Sequence, residues 1–178
     1  MFTFIMPTLN RPSISYSVES IQNQTVKDWK LIICGDGVQP PKFNDDRIQT
    51  IHIPKRNQSK ARQATLPLVQ TDWVAFVDDD DWITPDYLEK FLKFTHNSDV
   101  IISQMLYQGN VIPQEHKIIY ATVGICFAVK TEIWKKNPMP DPHGEDFKFL
   151  KSLEEQNYKI SFTDYCGYFV RKNLITMI

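Results

Sequence analysis

Residues 74–87 read VAFVDDDDWITPDY, an apolar run that ends in four consecutive aspartates, Asp78, Asp79, Asp80 and Asp81. Two carboxylates ~4 Å apart repel by about 1 kcal/mol in water and by about 4 kcal/mol at the effective dielectric of a partly buried site. A turn selected for shape alone would not gather so much like charge. A divalent cation reverses the sign of that energy. Hard cations such as Mg2+ or Mn2+ take carboxylate oxygens, usually with phosphate oxygens completing the shell. The cluster therefore points to a metal and a phosphorylated ligand. The alternative is a solvated loop whose spare acids favour the start of the next helix. Two other carboxylate chemistries fit less well. Asp78, Asp80, Trp82, Thr84, Asp86 and Glu89 fall at the ligand positions of a calcium-binding EF-hand loop. That loop needs glycine where Ile83 stands, Trp82 cannot ligate, and a strand rather than a helix precedes it. An aspartyl nucleophile could also sit at a strand end, but nothing singles out one of the four as the attacking group.

Those acids need elements to hold them, and the chain supplies an alternating series. FTFIM, WKLIICG, RIQTIHI and WVAFVD read as strands, with SISYSVESIQNQ and QSKARQATLPLV as helices between them, the latter bent at Pro67. This order predicts a mainly parallel α/β sheet. WVAFV is apolar at every position, as expected of a central strand covered on both faces. The aspartates then stand beyond its carboxyl end, where open α/β sheets bind ligands. Thr84 as cap and Pro85 at the first helical position predict a helix over 84–96. Further on, the pattern predicts a strand over 99–107, a polar loop over 107–117, and one or two strands over 118–130. Short and long helices follow at TEIWKK and EDFKFLKSLEEQ, separated by the NPMPDPHG loop, and terminal strands lie within 159–172.

The chain has 178 residues, 42% of them hydrophobic, enough for one sizeable core and short for two. Twenty basic residues against 21 acidic ones leave no global field to recruit nucleic acid or an anionic membrane, so function must reside in a local site. No apolar run approaches the ~20 residues that span a bilayer, and the first residues lack the features of a signal peptide. A cytoplasmic location is the expectation. Cys34, Cys126 and Cys166 are odd in number, widely spaced and set among apolar residues, which suits reduced core thiols.

Taken with IMPTLNRP (5–12), LIICGDG (31–37) and RNQSKARQATL (56–66), the acidic stretch resembles the family 2 glycosyltransferases of GT-A fold in residues, order and spacing. The likeness continues at HGEDFKFL (143–150) and more faintly at GYFVRKN (167–173). Related sugar nucleotidyltransferases carry a glycine-rich N-terminal signature that is absent here. The resemblance implies one GT-A domain over 1–178, a Rossmann-like α/β fold with a mixed, mainly parallel sheet flanked by helices. Residues 1–95 would form the nucleotide-binding half and 96–178 the acceptor side with the base. It implies that Asp36 accepts a hydrogen bond from the nucleotide base, between permissive glycines at 35 and 37. Pro7, Thr8 and Asn10 would line the base and ribose pocket, and Arg62 would approach the nucleotide. Asp78 or Asp79 would contact ribose and Asp80 would bind the metal, Mn2+ or Mg2+, though the four neighbours are chemically alike. Asp146 of HGEDF would take the acceptor hydroxyl proton, held ionised by the helix dipole. His143 is an incidental loop residue by this reading.

Three details depart from the family pattern: GDGV lacks a second acid and a serine, Ser59 replaces a glycine, and ARQ replaces ARN. The expected activity is a metal-dependent inverting transfer of sugar from a nucleotide diphosphate sugar, a UDP-sugar by preference, to a saccharide, lipid-linked or protein acceptor. Loops 107–117 and 137–144 are the candidates to meet that acceptor. A nucleotide- or sugar-binding module that has lost turnover is the alternative, and phosphoryl transfer a third.

Overall fold

The structure is a computed structural model and describes residues 1–140 and 143–171. The elements run β1 (Phe2–Thr8), α1 (Ile14–Gln22), β2 (Trp29–Asp36), β3 (Ile48–Ile53), α2 (Gln58–Ala64), β4 (Trp73–Phe76) and β5 (Trp82–Ile83). They continue with α3 (Tyr87–Leu92), β6 (Val100–Tyr107), β7 (Asn110–Ile112), β8 (Phe127–Lys130), α4 (Thr131–Lys136), α5 (Glu145–Glu155) and β9 (Ile160–Phe169). One sheet follows the order β3-β2-β1-β4-β8-β6-β9-β5, with β7 paired to β6. It is parallel from β3 to β4 and mixed beyond, where β8 runs antiparallel to both neighbours and β9 parallel to β6.

Every residue of β1 and β4 is buried, which explains why both lack hydrophobic alternation. The chain leaves β1 for β2 and β3 on one side, then returns to place β4 on the other. This reversal leaves a crevice beyond the carboxyl ends of β1 and β4, where adjoining connections diverge. The central position expected for β4 is found, and the ends that carry Thr8 and Asp78 come together by strand pairing alone.

Several local expectations change. The helix expected from Thr84 begins instead at Tyr87, with Asp86 at the cap position, and ends at Leu92. Tertiary bonds hold residues 84–86 in a turn. The Thr84 and Tyr165 hydroxyls lie 2.6 Å apart, Gln24 Nε2 donates to the Thr84 carbonyl at 2.7 Å, and Thr25 N–H donates to the Pro85 carbonyl at 2.7 Å. Just before it, Trp82 and Ile83 pair with β9 as an unforeseen strand. The expected 107–117 loop contains the β6–β7 hairpin, closed at Gln108 and Gly109 with φ of 49° and 75°. Both turn residues have positive φ, as tight hairpins require; Gln-Gly gives a weaker local signal for this than Asn-Gly. The 118–130 segment yields β8 alone, and the predicted terminal strands are one long strand, β9. Pro67 sits in a 3-10 turn, Leu66–Leu68, which ends α2 as a separate element. Residues 141–142 of the NPMPDPHG loop and everything after 171 lie outside the described residues.

Candidate functional site

The crevice is a cavity of about 300 Å³ lined by Pro7, Thr8, Leu9, Arg11, Asp36, Gln58, the four aspartates, Tyr107 and Val170. β1 delivers Pro7 and Thr8, β2 delivers Asp36, and the turn after β4 delivers the acids. Asp36 is buried, and its Oδ1 accepts the Arg56 N–H at 2.6 Å, which ties the β3–α2 connection to the cleft wall. Gly35 is required beside it, because a Cβ there would lie 2.0 Å from the Val38 carbonyl oxygen. Asn10 is exposed and not among the cleft-lining residues. It takes φ of 59°, which asparagine tolerates, and donates its N–H to Thr8 Oγ1 at 2.8 Å. Its place in the structure is the turn that shapes the pocket.

The four aspartates have four different environments. Asp79 is buried and its carboxylate is engaged by Thr8 Oγ1 at 2.5 Å, Leu9 N–H at 3.2 Å and the Arg11 guanidinium, so it clamps the end of β1 to the end of β4. Asp78 accepts from Arg62 Nη2 at 2.6 Å, and its N–H donates to the Tyr168 hydroxyl at 3.2 Å. Asp81 is buried; its carboxylate accepts from the Tyr168 hydroxyl at 2.8 Å and from the Arg171 N–H at 3.1 Å. Burial and the nearby Asp78 push the Asp81 carboxyl up to about 7 against these bonds. Asp80 keeps a quarter of its side chain exposed and lies 3.5 Å from Arg11. Much of the repulsion implied by the sequence is therefore relieved inside the protein, by two arginines and by a carboxyl that resists ionisation.

The donor set of this turn decides how a cation could fit. Among the described residues no group of three or more His, Cys, Asp or Glu could hold a metal ion. Mg2+-type ions are commonly bound through one or two carboxylates with substrate phosphates and water filling the shell. Asp80 at the cleft suits that mode, and a self-sufficient metal cage does not exist among the described residues.

The structure places Arg62 behind the cleft lining. Expected at the nucleotide, it is 1% exposed and is not among the residues lining the cleft. It sits behind Asp78, with Nη1 also donating to Glu145 Oε1 at 3.3 Å. Burial opposes its charge, but Asp78, Asp146 and Glu145 outweigh that and hold the guanidinium protonated. Gln58 donates to the same Glu145 oxygen from the start of α2.

The charge of Asp146 differs from the expectation. The helix dipole was expected to keep it ionised, yet desolvation wins: burial pushes its carboxyl up to about 7, Arg62 opposes this, and Glu145 and Asp78 add to it. Its Oδ1 is wholly shielded and without a hydrogen-bond partner. Asp146 is not among the residues lining the cleft, although it lies within electrostatic reach of Asp78 and Arg62. His143, exposed with φ of 84°, precedes this helix start.

Sequence reasoning missed Arg11, Gln58, Tyr107 and Tyr168 as parts of this site. The Tyr168 hydroxyl is the joint between Asp78 and Asp81, and only the GYFVRKN likeness hinted at it. Replacing Tyr168 with Phe strands a buried carboxylate oxygen and a backbone N–H, and is expected to lower stability by about 1–3 kcal/mol, measured by urea unfolding.

Asp81 and Asp146 also set the dependence of stability on pH. Each has a folded-state pKa raised above that of the unfolded chain, so the stabilisation from holding its proton is full below about pH 4 and is lost as pH rises through about 7. Asp86 has the opposite sign: burial opposes, but bonds from Tyr165 and Lys90 hold it down to about 2, so its contribution is lost only as pH falls towards 2. Urea titrations are expected to show the unliganded protein more stable at pH 5.5 than at pH 8.

The family model described as Glycosyl transferase family 2 matches residues 3–169. The chain belongs to glycosyltransferase family 2. The Escherichia coli protein named UDP-Glc:alpha-D-GlcNAc-diphosphoundecaprenol beta-1,3-glucosyltransferase WfgD is 27% identical, over 97% of this chain and 76% of its own. TarS of S. aureus, solved in complex with UDP-GlcNAc, superposes with a TM-score of 0.74 at 21% identity, over 94% of this chain and 57% of that one. The mannosyltransferase PcManGT of Pyrobaculum calidifontis, solved with GDP-Man and Mn2+, gives 0.73 at 14% identity, over 93% and 55%. This family 2 chain therefore has the GT-A fold and spans little more than half the length of those solved neighbours. Among its described residues no helix is long and apolar enough to cross a membrane.

Proposed function

We propose that this family 2 chain transfers a sugar, with inversion, from a nucleotide diphosphate sugar to an acceptor hydroxyl. A UDP-sugar is the preferred donor, supported by the UDP-GlcNAc complex of TarS and by the UDP-Glc in the name of WfgD. The carrying observation is the convergence of Thr8, Asp36 and the acidic turn on one cleft beyond β1, β2 and β4. Asp36 is read as the acceptor for the nucleotide base, Pro7 and Thr8 as pocket wall, and Asp78 as the ribose contact, with Asp79 holding the β1 loop in place. Asp80 would hold Mn2+ or Mg2+, which when bound supplies charge neutralisation at the leaving diphosphate; the Mn2+ complex of PcManGT supports a metal. Asp146 is the base: a carboxylate with a pKa near 7 is matched to taking a proton at neutral pH. Residues 1–95 act as the donor half and 96–178 as the acceptor half of one domain. The free cysteines Cys34, Cys126 and Cys166 support a reducing, cytoplasmic setting.

A binding module without turnover draws on one observation, the shielding of Asp146 Oδ1. Incubation with Mn2+ and a panel of nucleotide sugars separates the readings. The transferase releases nucleoside diphosphate, and faster with acceptor; the module binds the nucleotide and releases none.

A further inference from the structure

Three segments meet at one buried guanidinium. Arg62, on α2, reaches Asp78 in the cleft and Glu145 at the first position of α5, partners 16 and 83 residues away in sequence. Gln58 reinforces the second contact from the same helix. Asp146 follows Glu145 directly, so whatever fixes the start of α5 also fixes the proposed base. The charged and titratable groups that act on Asp146 are Arg62 from α2, Glu145 on α5, Asp78 from the acidic turn and Cys126 from the segment before β8. Arg62 is the cation in that set.

We propose that Arg62 is a positioning residue that holds the base-bearing end of α5 against the donor-binding turn and supplies the positive charge opposite Asp146. The proposal rests on the reading of Asp146 as base. A buried ion pair that loses one partner leaves an uncompensated charge, so removal of Arg62 would leave Asp78 and Glu145 without the cation they share. Lysine cannot substitute in full, because the planar fork can bond two carboxylates at once whereas an ammonium is a point charge. Arg62 thereby links the donor half and the base half of the cleft without touching either substrate.

The test compares Arg62→Lys, Arg62→Met and Glu145→Gln with the wild-type chain. Three readouts are needed: UDP affinity with Mn2+ by calorimetry, the pH profile of sugar transfer, and a 13C-carboxyl NMR titration of Asp146. Arg62→Lys is expected to lower UDP affinity only a little, through Asp78, and to leave the Asp146 titration close to wild type, while transfer falls further, roughly 10–100-fold, through misplacement of the base. Arg62→Met is expected to move the Asp146 titration, and the acid limb of the rate profile, to higher pH by about one unit or more. Glu145→Gln, which keeps the cation in place, is expected to cost less transfer than Arg62→Met. A fall in UDP affinity as large as the fall in transfer would make Arg62 a donor contact and overturn the proposal. So would an Asp146 titration that Arg62→Met leaves unmoved. If Arg62→Met fails to fold, Arg62→Lys decides: transfer lost beyond affinity supports the proposal, and equal loss refutes it. The NMR titration needs no turnover. A wild-type chain that transfers no sugar therefore removes the base role of Asp146, while the coupling between Arg62 and Asp146 is still decided.

Discussion

Replacing Asp146 with Asn is expected to lower sugar transfer by about 10²–10⁴-fold, the usual range for losing a general base. UDP affinity should stay the same. The amide matches the carboxylate in size, so the start of α5 keeps its shape and the proton acceptor alone disappears. In the wild-type chain the acid must ionise before it can accept a proton, so the rate is expected to rise with pH through about 7, the value to which burial pushes it. Asp146→Asn should flatten that limb in its residual activity. The same substitution removes a partly shielded carboxylate whose ionisation is opposed, so it is expected to raise the melting temperature at pH 8 while activity is lost. Stability gained with function lost is the signature of a residue kept for chemistry. Unaltered transfer, or UDP affinity lost in step with transfer, would rule out the base role.

Asp80→Asn is expected to remove the metal-dependent part of UDP binding and to cost about 10²–10³-fold in transfer, the scale of one lost electrostatic contact to developing charge. Asp80 lines the cleft with a quarter of its side chain exposed, whereas Asp79 and Asp81 are buried and bonded to Thr8, Leu9 and Arg11 and to Tyr168 and Arg171. Thermal stabilisation by UDP with and without Mn2+ reads this directly, since a ligand that prefers the folded state raises its melting temperature. The wild-type chain should gain more from UDP when Mn2+ is present, and Asp80→Asn should gain the same with or without it. Should Asp78→Asn erase the metal effect instead, the cation belongs to the other partly exposed acid of the turn.

The legible parts of the fold were those with strong local signals. β4 is apolar throughout and β1 and β2 are mostly so, with every residue of β1 and β4 and all of β2 but Lys30 buried, and α1 and α5 show amphipathic patterns that the structure reproduces. Thr84 and Pro85 misled because their local start signal competes with bonds to Gln24, Thr25 and Tyr165. β5 escaped notice because a two-residue strand exists only through its partner β9. The acids stood out by their charge at a strand end, Pro7, Thr8 and Asp36 through the family resemblance, and the fold brings all of them to one cleft.

From the amino-acid order alone came the alternating α/β plan, the placing of an acidic turn beyond a central strand, and the family likeness in the succession of motifs. These depend on residue type, short spacing and order along the chain. Tertiary structure decided which acids are spent, since Arg11 meets Asp79 across 68 residues, Tyr168 meets Asp81 across 87 and Arg62 meets Glu145 across 83. It also decided that Asp146 holds its proton to about pH 7. Desolvation and ion pairing depend on what the folded chain brings alongside a group, and partners so far apart leave no mark in the local pattern around it.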